Sequence, residues 1–298
     1  MRSISDAFLT IRAMPQRGRF APSPTGDLHL GNLRTALIGY LWARESDGEF
    51  LIRMEDLDQM TSSRALGERQ LADLAAIGVE SDMPVIWQSD RFDIYKSIIN
   101  ELTERGLTYE CFCSRREIRE AAAAPHGPLP DGAYPGTCAD LTPAERSERA
   151  RERPAAIRLR TNRSVVAIHD TLHGEFSAQV DDVVLLRNDG TPAYNLAVVV
   201  DDALQGVTQI CRGDDLLSST PRQVYLQRLL GYPTPEYLHV PLVLGNDGER
   251  LSKRNGALSL RDLNEQGQSA ESVRETLLAS VGGSFSADAL LRVGTWTI

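Results

Sequence analysis

The chain has 298 residues, 42% of them hydrophobic, which is enough for one large or two modest domains around a sizeable core. No run approaches the length of a membrane-spanning helix, and Arg2, Arg12 and Arg17 near the start are interrupted by Asp6 with no apolar segment behind them, so neither a membrane span nor a secretory signal is expected. A net charge of −9 weighs mildly against a nucleic-acid binder, which is usually basic, and leaves a local arginine surface as the way to hold such a partner, weakly and with salt sensitivity.

In chain order, residues 1–18 read as an extension, with Met14 a possible alternative start. A short strand over Gly18–Ala21 breaks at Pro22-Ser23-Pro24-Thr25-Gly26, whose prolines and glycine make a loop. A helix follows over Leu30–Glu45, with Leu33, Leu37 and Leu41 on one stripe. Glu49–Glu55 reads as a strand, and Ser62–Ile77 and Arg91–Arg105 as helices. Strand, helix, strand, helix is the pattern of a parallel sheet wrapped by helices.

The middle changes character. Ala121–Asp131 is alanine, proline and glycine, and Pro143–Arg153 is a charged helical run. Four short strands then follow: Ala156–Thr161, Val165–Asp170, Gly174–Val180 and Val183–Arg187, with a turn at Asn188-Asp189-Gly190. They read as an insertion with its own small sheet. The apolar run Tyr194–Val200, the strand Val207–Cys211 and the helix Thr220–Leu230 return to the α/β pattern, which Val240–Leu244 and the loop Gly245–Arg254 close. The organisation expected is α/β: a Rossmann-like parallel-sheet domain in two halves (19–108 and 191–245), split by an α+β insertion (109–190), with a loop and short helical tail (246–298).

Two short segments carry chemistry. Pro22–Asn32 is a proline-fixed loop entering a helix N-terminus, where free backbone N–H groups and the positive dipole end attract an anion. His29 and Gly31 stand where a phosphate could approach. Arg250–Arg254, RLSKR, is a basic loop able to close over a triphosphate and offset charge as pyrophosphate leaves. Lys96 and Lys253 are the only lysines, so Lys253 is a compact point charge in a chain that otherwise writes arginine. Taken singly, each segment reads as an ordinary turn.

Together they are specific. RFAPSPTGDLHLGN at Arg19–Asn32 resembles the "HIGH" signature region of class I aminoacyl-tRNA synthetases in its glutamyl form, and RLSKR resembles their "KMSKS" loop. RMEDLD (Arg53–Asp58), WQSDR (Trp87–Arg91), YNLAVVVDD (Tyr194–Asp202) and GVTQICRGD (Gly206–Asp214) resemble further segments of that family, in order. Asn32 replaces the second histidine of the signature, and Arg250 replaces the first lysine of the loop.

The resemblance implies an ATP-dependent ligase that activates L-glutamate with ATP and Mg²⁺. His29 and Lys253 would be its catalytic residues, and His29, Gly31, Asn32 and Lys253 its ATP contacts. The glutamate site would be formed by Arg19, Phe20, Ala21, Pro22, Ser23, Glu55, Tyr194 and Arg212. Charge alone supports four of these. Arg19 and Arg212 can each grip a carboxylate, Glu55 can receive the ammonium, and the Tyr194 hydroxyl can bond a carboxylate. Arg19, Glu55 and Arg212 end expected strands, where α/β sheets bind ligands. Without the family, a structural Arg19–Glu55 ion pair is the better reading.

Cys111-x-Cys113 and Tyr134-x3-Cys138 offer three thiolates and a fourth donor for a tetrahedral Zn²⁺ site. Short synthetases of the same type hold zinc in this way, which favours Tyr134 as the fourth ligand over His126 in the same loop. Cys211 lies in an apolar strand and reads as packing.

Only Arg261–Ile298 follow the lysine loop, too few residues for the helical anticodon-reading region of full glutamyl enzymes. Short forms of this kind glutamylate queuosine in the anticodon of tRNA(Asp), and that activity is expected here, with glutamate activation independent of tRNA. A cytoplasmic monomer is expected. Three rivals are an ordinary truncated glutamyl- or glutaminyl-tRNA synthetase, an adenylate-forming ligase for a small molecule, and a non-catalytic tRNA-binding remnant.

Overall fold

The computed structural model describes residues 15–122, 133–245, 251, 258–282 and 294–297. Arg250, Lys253, Arg254, His126 and residues 1–14 lie outside the described residues.

The chain begins with strand β1 (Arg17–Phe20), helix α1 (Leu30–Glu45), strand β2 (Glu49–Met54), helix α2 (Arg64–Ala76), the short strand β3 (Ile86–Trp87) and helix α3 (Phe92–Glu104). Strand β4 (Thr108–Cys111) and helices α4 (Arg115–Ala122) and α5 (Pro143–Glu152) come next. Four strands follow: β5 (Ala156–Leu159), β6 (Val165–Asp170), β7 (Gly174–Gln179) and β8 (Val184–Leu186). Then come helix α6 (Tyr194–Leu204), strand β9 (Gln209–Gly213), helix α7 (Thr220–Leu230) and strand β10 (Glu236–Val240). Strand β11 (Val243–Leu244) follows, and the tail holds α8 (Leu260–Glu265), α9 (Ala270–Ala279) and β12 (Trp296–Thr297).

Seven strands form the central sheet in the order β3-β2-β1-β9-β10-β6-β7. All its pairings are parallel except β6 with β7. Helix α1 shows why the parallel half forms as it does. Leu30, Leu33 and Leu37 are buried on one stripe against β1, β2 and β9, each burial stabilising by about 1.5–3 kcal/mol. The apolar run beginning at Tyr194 is helical, and Leu196–Val200 are buried because α6 lies within the main core cluster.

Two expectations need correction. The strands of the insertion do not share one small sheet. Only β5 and β8 do, joined by β4 in an antiparallel sheet of order β4-β5-β8. The β6–β7 hairpin instead extends the central sheet, through Tyr237 of β10 paired with Asp170 of β6. Strand β6 alternates exposed and buried positions, and Val166 and Ile168 join the main core. One-sided burial is what an added edge hairpin requires. The tail, expected to be helical only, also contributes β12, which pairs in parallel with β11 (Val243 opposite Trp296). Arg34 ties that strand to α1: its guanidinium is buried and donates to the carbonyls of Pro241 (3.1 Å) and Gly294 (3.0 Å).

Candidate active site

The C-terminal ends of β1, β2 and β9 open on one cavity of about 660 Å³. That is where a parallel sheet presents the turn residues that hold ligands. Of the residues expected to bind glutamate, all eight line this cavity: Arg19, Phe20, Ala21, Pro22, Ser23, Glu55, Tyr194 and Arg212. So do His29, Gly31 and Asn32 at the start of α1. The loop between β1 and α1 is fixed from both sides. Glu55 N–H donates to the Pro22 carbonyl (2.9 Å), and the Gln70 side chain donates to the carbonyls of Ser23 (3.1 Å) and Gly26 (2.6 Å).

Arg19 and Glu55 do not form the simple pair that the residues alone suggest. Arg19 meets Asp202, Nε to Oδ1 at 3.2 Å and Nη2 to Oδ2 at 3.4 Å. Glu55 accepts instead from Arg53 (3.1 Å), and Arg53 also donates to Asp202 (2.8 Å). All four side chains are buried. The side-on grip of Asp202 on Arg19 leaves the other edge of that guanidinium for a second carboxylate. Behind this quartet, Asp201 accepts from Gln88 (2.9 Å), Arg91 (2.8 Å) and Tyr95 (2.7 Å).

The two acids of the quartet are pushed in opposite directions. Burial raises the Glu55 carboxyl above the ordinary value, against the pull of Arg53 and Arg19. Burial opposes Asp202 as well, but Arg19 and Arg53 together hold it ionised, below its ordinary value. Arg53, Asp202 and Asp201 lie within segments that carry the family likeness, yet the sequence reading gave them no role. The available signal was chemical: an arginine within the apolar stretch FLIRM of β2, and an Asp pair closing the apolar run of α6.

The phosphate-loop expectation changes in detail. The His29 ring caps α1, its Nδ1 accepting from the N–H groups of Gly31 (3.1 Å) and Asn32 (3.4 Å), while Asn32 Oδ1 accepts from His29 N–H (3.2 Å). These donors therefore serve the imidazole first, and the ring tautomer carries its proton on Nε2. A Cβ at position 31 would meet the His29 ring at 3.0 Å, so the glycine accommodates the histidine. The chain near the second signature segment also reaches this point. His29 bridges to Ser259, Leu30 N–H reaches the Leu258 carbonyl (3.3 Å), and Leu251 lines the cavity.

A second cavity, about 710 Å³, shares Ser23, Thr25, Glu55 and Tyr194 with the first and runs toward Cys111, Cys113, Arg158 and Arg187. The β4-β5-β8 sheet forms its far side. There the sulfurs of Cys111, Cys113 and Cys138 lie within 4.8 Å of one another. Cys113 and Cys138 sulfurs are 3.5 Å apart, and the Tyr134 hydroxyl is 3.4 Å from Cys111 Sγ and 3.8 Å from Cys113 Sγ. A tetrahedral zinc with bonds near 2.3 Å to sulfur and 2.1 Å to oxygen sets edges of roughly 3.8 Å and 3.6 Å, so this donor set fits a metal. The guanidinium of Arg158 lies 3.6 Å from the Tyr134 ring centroid, and Arg149 approaches Cys138 Sγ at 3.9 Å, cations suited to a thiolate-rich site. A hydrogen bond from Cys113 pulls the Cys111 thiol well below its ordinary value. Cys211 is different: it is buried in β9, and burial pushes its thiol up to about 12.

Residues 16–287 match the family described as tRNA synthetases class I (E and Q), catalytic domain. A glutamyl-Q tRNA(Asp) synthetase of Nocardia farcinica is 60% identical over 266 residues, spanning 89% of this chain and 84% of the relative. A glutamate–tRNA ligase of Aquifex aeolicus is 43% identical, over 86% of this chain and 55% of the ligase. Among solved structures, a glutamate tRNA ligase from Elizabethkingia meningosepticum in complex with its amino acid superposes with a TM-score of 0.75 at 28% identity. The match covers 93% of this chain and 64% of that one.

Proposed function

We propose, for a chain that belongs to the family of class I glutamyl and glutaminyl tRNA synthetase catalytic domains, the activity of a glutamyl-Q tRNA(Asp) synthetase. It is an ATP-dependent ligase that activates glutamate and transfers it to queuosine in the anticodon of tRNA(Asp). The observation that carries this reading is the single cavity joining an amino-acid end, with Arg19, Arg212, Glu55 and Tyr194, to a nucleotide end at the start of α1, with His29, Gly31 and Asn32.

In this reading Arg19 and Arg212 bind the carboxylates of glutamate, Glu55 the ammonium, and the Tyr194 hydroxyl one carboxylate oxygen. Phe20, Ala21, Pro22 and Ser23 form the wall. A glutamate carboxylate oxygen attacks the α-phosphorus of ATP in line, and pyrophosphate leaves. His29 donates from Nε2, and Lys253 adds a positive charge to the departing phosphates. Mg²⁺ enters with ATP as part of that substrate. A hydroxyl of the acceptor nucleoside then attacks the acyl carbon, and AMP leaves with the bond electrons. The second cavity, which shares Glu55 and Tyr194 with the first, is the approach open to that nucleoside.

Cys111, Cys113, Tyr134 and Cys138 would hold one zinc, which serves to fix the small sheet against the second cavity. Residues 19–108 and 191–245 act as the two halves of the catalytic domain, with 109–190 as the insertion. We take the working form to be a cytoplasmic monomer.

At the amino-acid end Arg19, Arg53, Glu55 and Asp202 hold one another in place, which supports activation without tRNA. The test is exchange of labelled pyrophosphate into ATP by tRNA-free protein. Glutamate-dependent exchange is expected, with glutamine a poor substitute because a neutral amide lacks the charge-assisted bond. Exchange that appears only after tRNA is added would contradict the preassembled site.

A further inference from the structure

The two arginines of the amino-acid end have different surroundings. Arg19 meets the carboxylate of Asp202. Arg212 is also buried, yet among the described residues its guanidinium donates only to neutral acceptors. Nε reaches His239 Nε2 at 3.0 Å, Nη1 reaches Gln223 Oε1 at 2.7 Å, and Nη2 reaches Thr220 Oγ1 at 2.7 Å. A buried guanidinium bonded directly to no carboxylate among the described residues is costly for the fold and correspondingly attractive to an incoming anion.

The acceptor on Nε is set by a further residue. A guanidinium N–H can only donate, so His239 Nε2 must present its lone pair. The imidazole proton is then on Nδ1, which lies 2.7 Å from Asp170 Oδ2. Asp170 is itself locked in place. Its Oδ1 accepts from the N–H groups of Leu172 (3.0 Å) and His173 (2.9 Å), and its Oδ2 from the N–H of His239 (3.0 Å). Both Asp170 and His239 are fully buried, and the His239 ring is stacked on Tyr237 at 5.9 Å. A carboxylate in place of His239 would orient Arg212 equally well but would neutralise it.

We propose that His239 is a positioning residue of the amino-acid site. Its Asp170-fixed tautomer aims Arg212 into the cavity through a neutral acceptor, leaving the charge of Arg212 for a substrate carboxylate. The inference rests on reading Arg212 as a glutamate contact. It assigns part of the discrimination between glutamate and glutamine to a pair of residues that touch neither. Asp170 reaches this pair only because the β6–β7 hairpin joins the central sheet beside β10.

Pyrophosphate exchange by the intact protein, with glutamate, glutamine and ATP each titrated, tests the relay. Asp170→Asn and His239→Asn should raise the KM for glutamate by about tenfold or more and lower the glutamate-to-glutamine ratio of kcat/KM by the same factor. The KM for ATP and the saturating rate should stay within about threefold of wild type. His239→Gln, whose amide oxygen can stand near the place of Nε2, should recover much of the loss. Unchanged glutamate KM in the Asn variants, or equal losses for ATP and glutamate, would overturn the proposal. Arg212→Met separates the two levels. If it raises the glutamate KM while the Asn variants do not, the relay alone fails; if it too is silent, the reading of Arg212 fails first. Should the variants not fold, ¹⁵N spectra of histidine-labelled wild type decide. A protonated Nδ1 and a bare Nε2 at His239 are expected, and a proton on Nε2 would overturn the relay.

Discussion

The amino-acid end of the cavity and the cysteine cluster lie on either side of Glu55 and Tyr194, yet they are ordered by opposite means. At the first, Arg19, Arg53, Glu55 and Asp202 neutralise one another through hydrogen bonds of 2.8–3.4 Å, so the protein itself supplies both signs of charge. At the second, three thiols and a phenol face each other within a small cluster that also buries Tyr109 and Phe112. Among the described residues the cations beside that group are Arg158, over the Tyr134 ring, and Arg149, near Cys138 Sγ. A preorganised charge network can bind its ligand as folded, whereas a donor cluster is completed by what it binds.

The contrast is broken most severely at Asp202, the acid shared by two buried arginines. Asp202→Asn should destabilise the fold by about 3–5 kcal/mol, because removing one partner leaves buried guanidinium charge uncompensated. The melting temperature should then fall by roughly 10 °C in thermal denaturation. A shift of only about 2 °C would mean the network is held by its surroundings and not by its charges.

Glu55→Gln should act on binding instead. Loss of the ammonium's counter-charge removes about 1.5–3 kcal/mol, a rise in glutamate KM of about tenfold or more with the KM for ATP little changed. An unaltered glutamate KM would make Glu55 a purely structural partner of Arg53.

On the other side, the chain should carry about one zinc by elemental analysis, lost on replacing Cys111, Cys113 or Cys138 by serine. Glutamate-dependent exchange should survive this within about threefold while transfer to tRNA falls further, since the small sheet borders the second cavity. Equal losses in both would erase the distinction between the two regions. Tyr134→Phe against His126→Ala identifies the fourth ligand, with metal loss expected in the first.

The smallest effect is one of pH. Because burial raises the Glu55 carboxyl, its ionised fraction fades at a higher pH than that of an ordinary carboxylate. The KM for glutamate should therefore climb on mild acidification, and a profile in Glu55→Gln should be flat by comparison. The stability contribution has the opposite sign. The folded state holds this proton more tightly than the unfolded chain, so the stability Glu55 contributes is fully present below the ordinary carboxyl pKa and is lost as pH rises through the raised one. Asp202, held below its ordinary value, favours folding at higher pH and loses that contribution as pH falls.

Much of this was legible in the sequence because local pattern and partner choice coincide. The bounds of α1 follow from a leucine stripe behind a loop fixed by prolines and a glycine. What local pattern cannot supply is the neighbour. The apolar run Val165–Ile168 reads as a strand, but nothing in it says that β10 lies beside it, and the expectation of one small sheet for the insertion fails there. The same limit applies to charge. Arg19, Glu55 and Arg212 were read as ligand contacts, while the residues that hold them came from distant strands and helices: Asp202 is 183 positions from Arg19, and His239 is 27 from Arg212. His29 was legible as a residue but not as a cap, since only the folded loop turns its Nδ1 onto the helix N–H groups.

The central claim, transfer of glutamate to an anticodon nucleoside, is tested most directly with labelled glutamate and tRNA(Asp) prepared with and without queuosine, each before and after trimming of the 3′-terminal adenosine. Label should enter only the queuosine-bearing tRNA, and to the same extent whether or not the terminal nucleotide is present. Acceptance that disappears with that adenosine, or that appears equally in tRNA lacking queuosine, would contradict the account and make the chain an enzyme that charges the 3′ end.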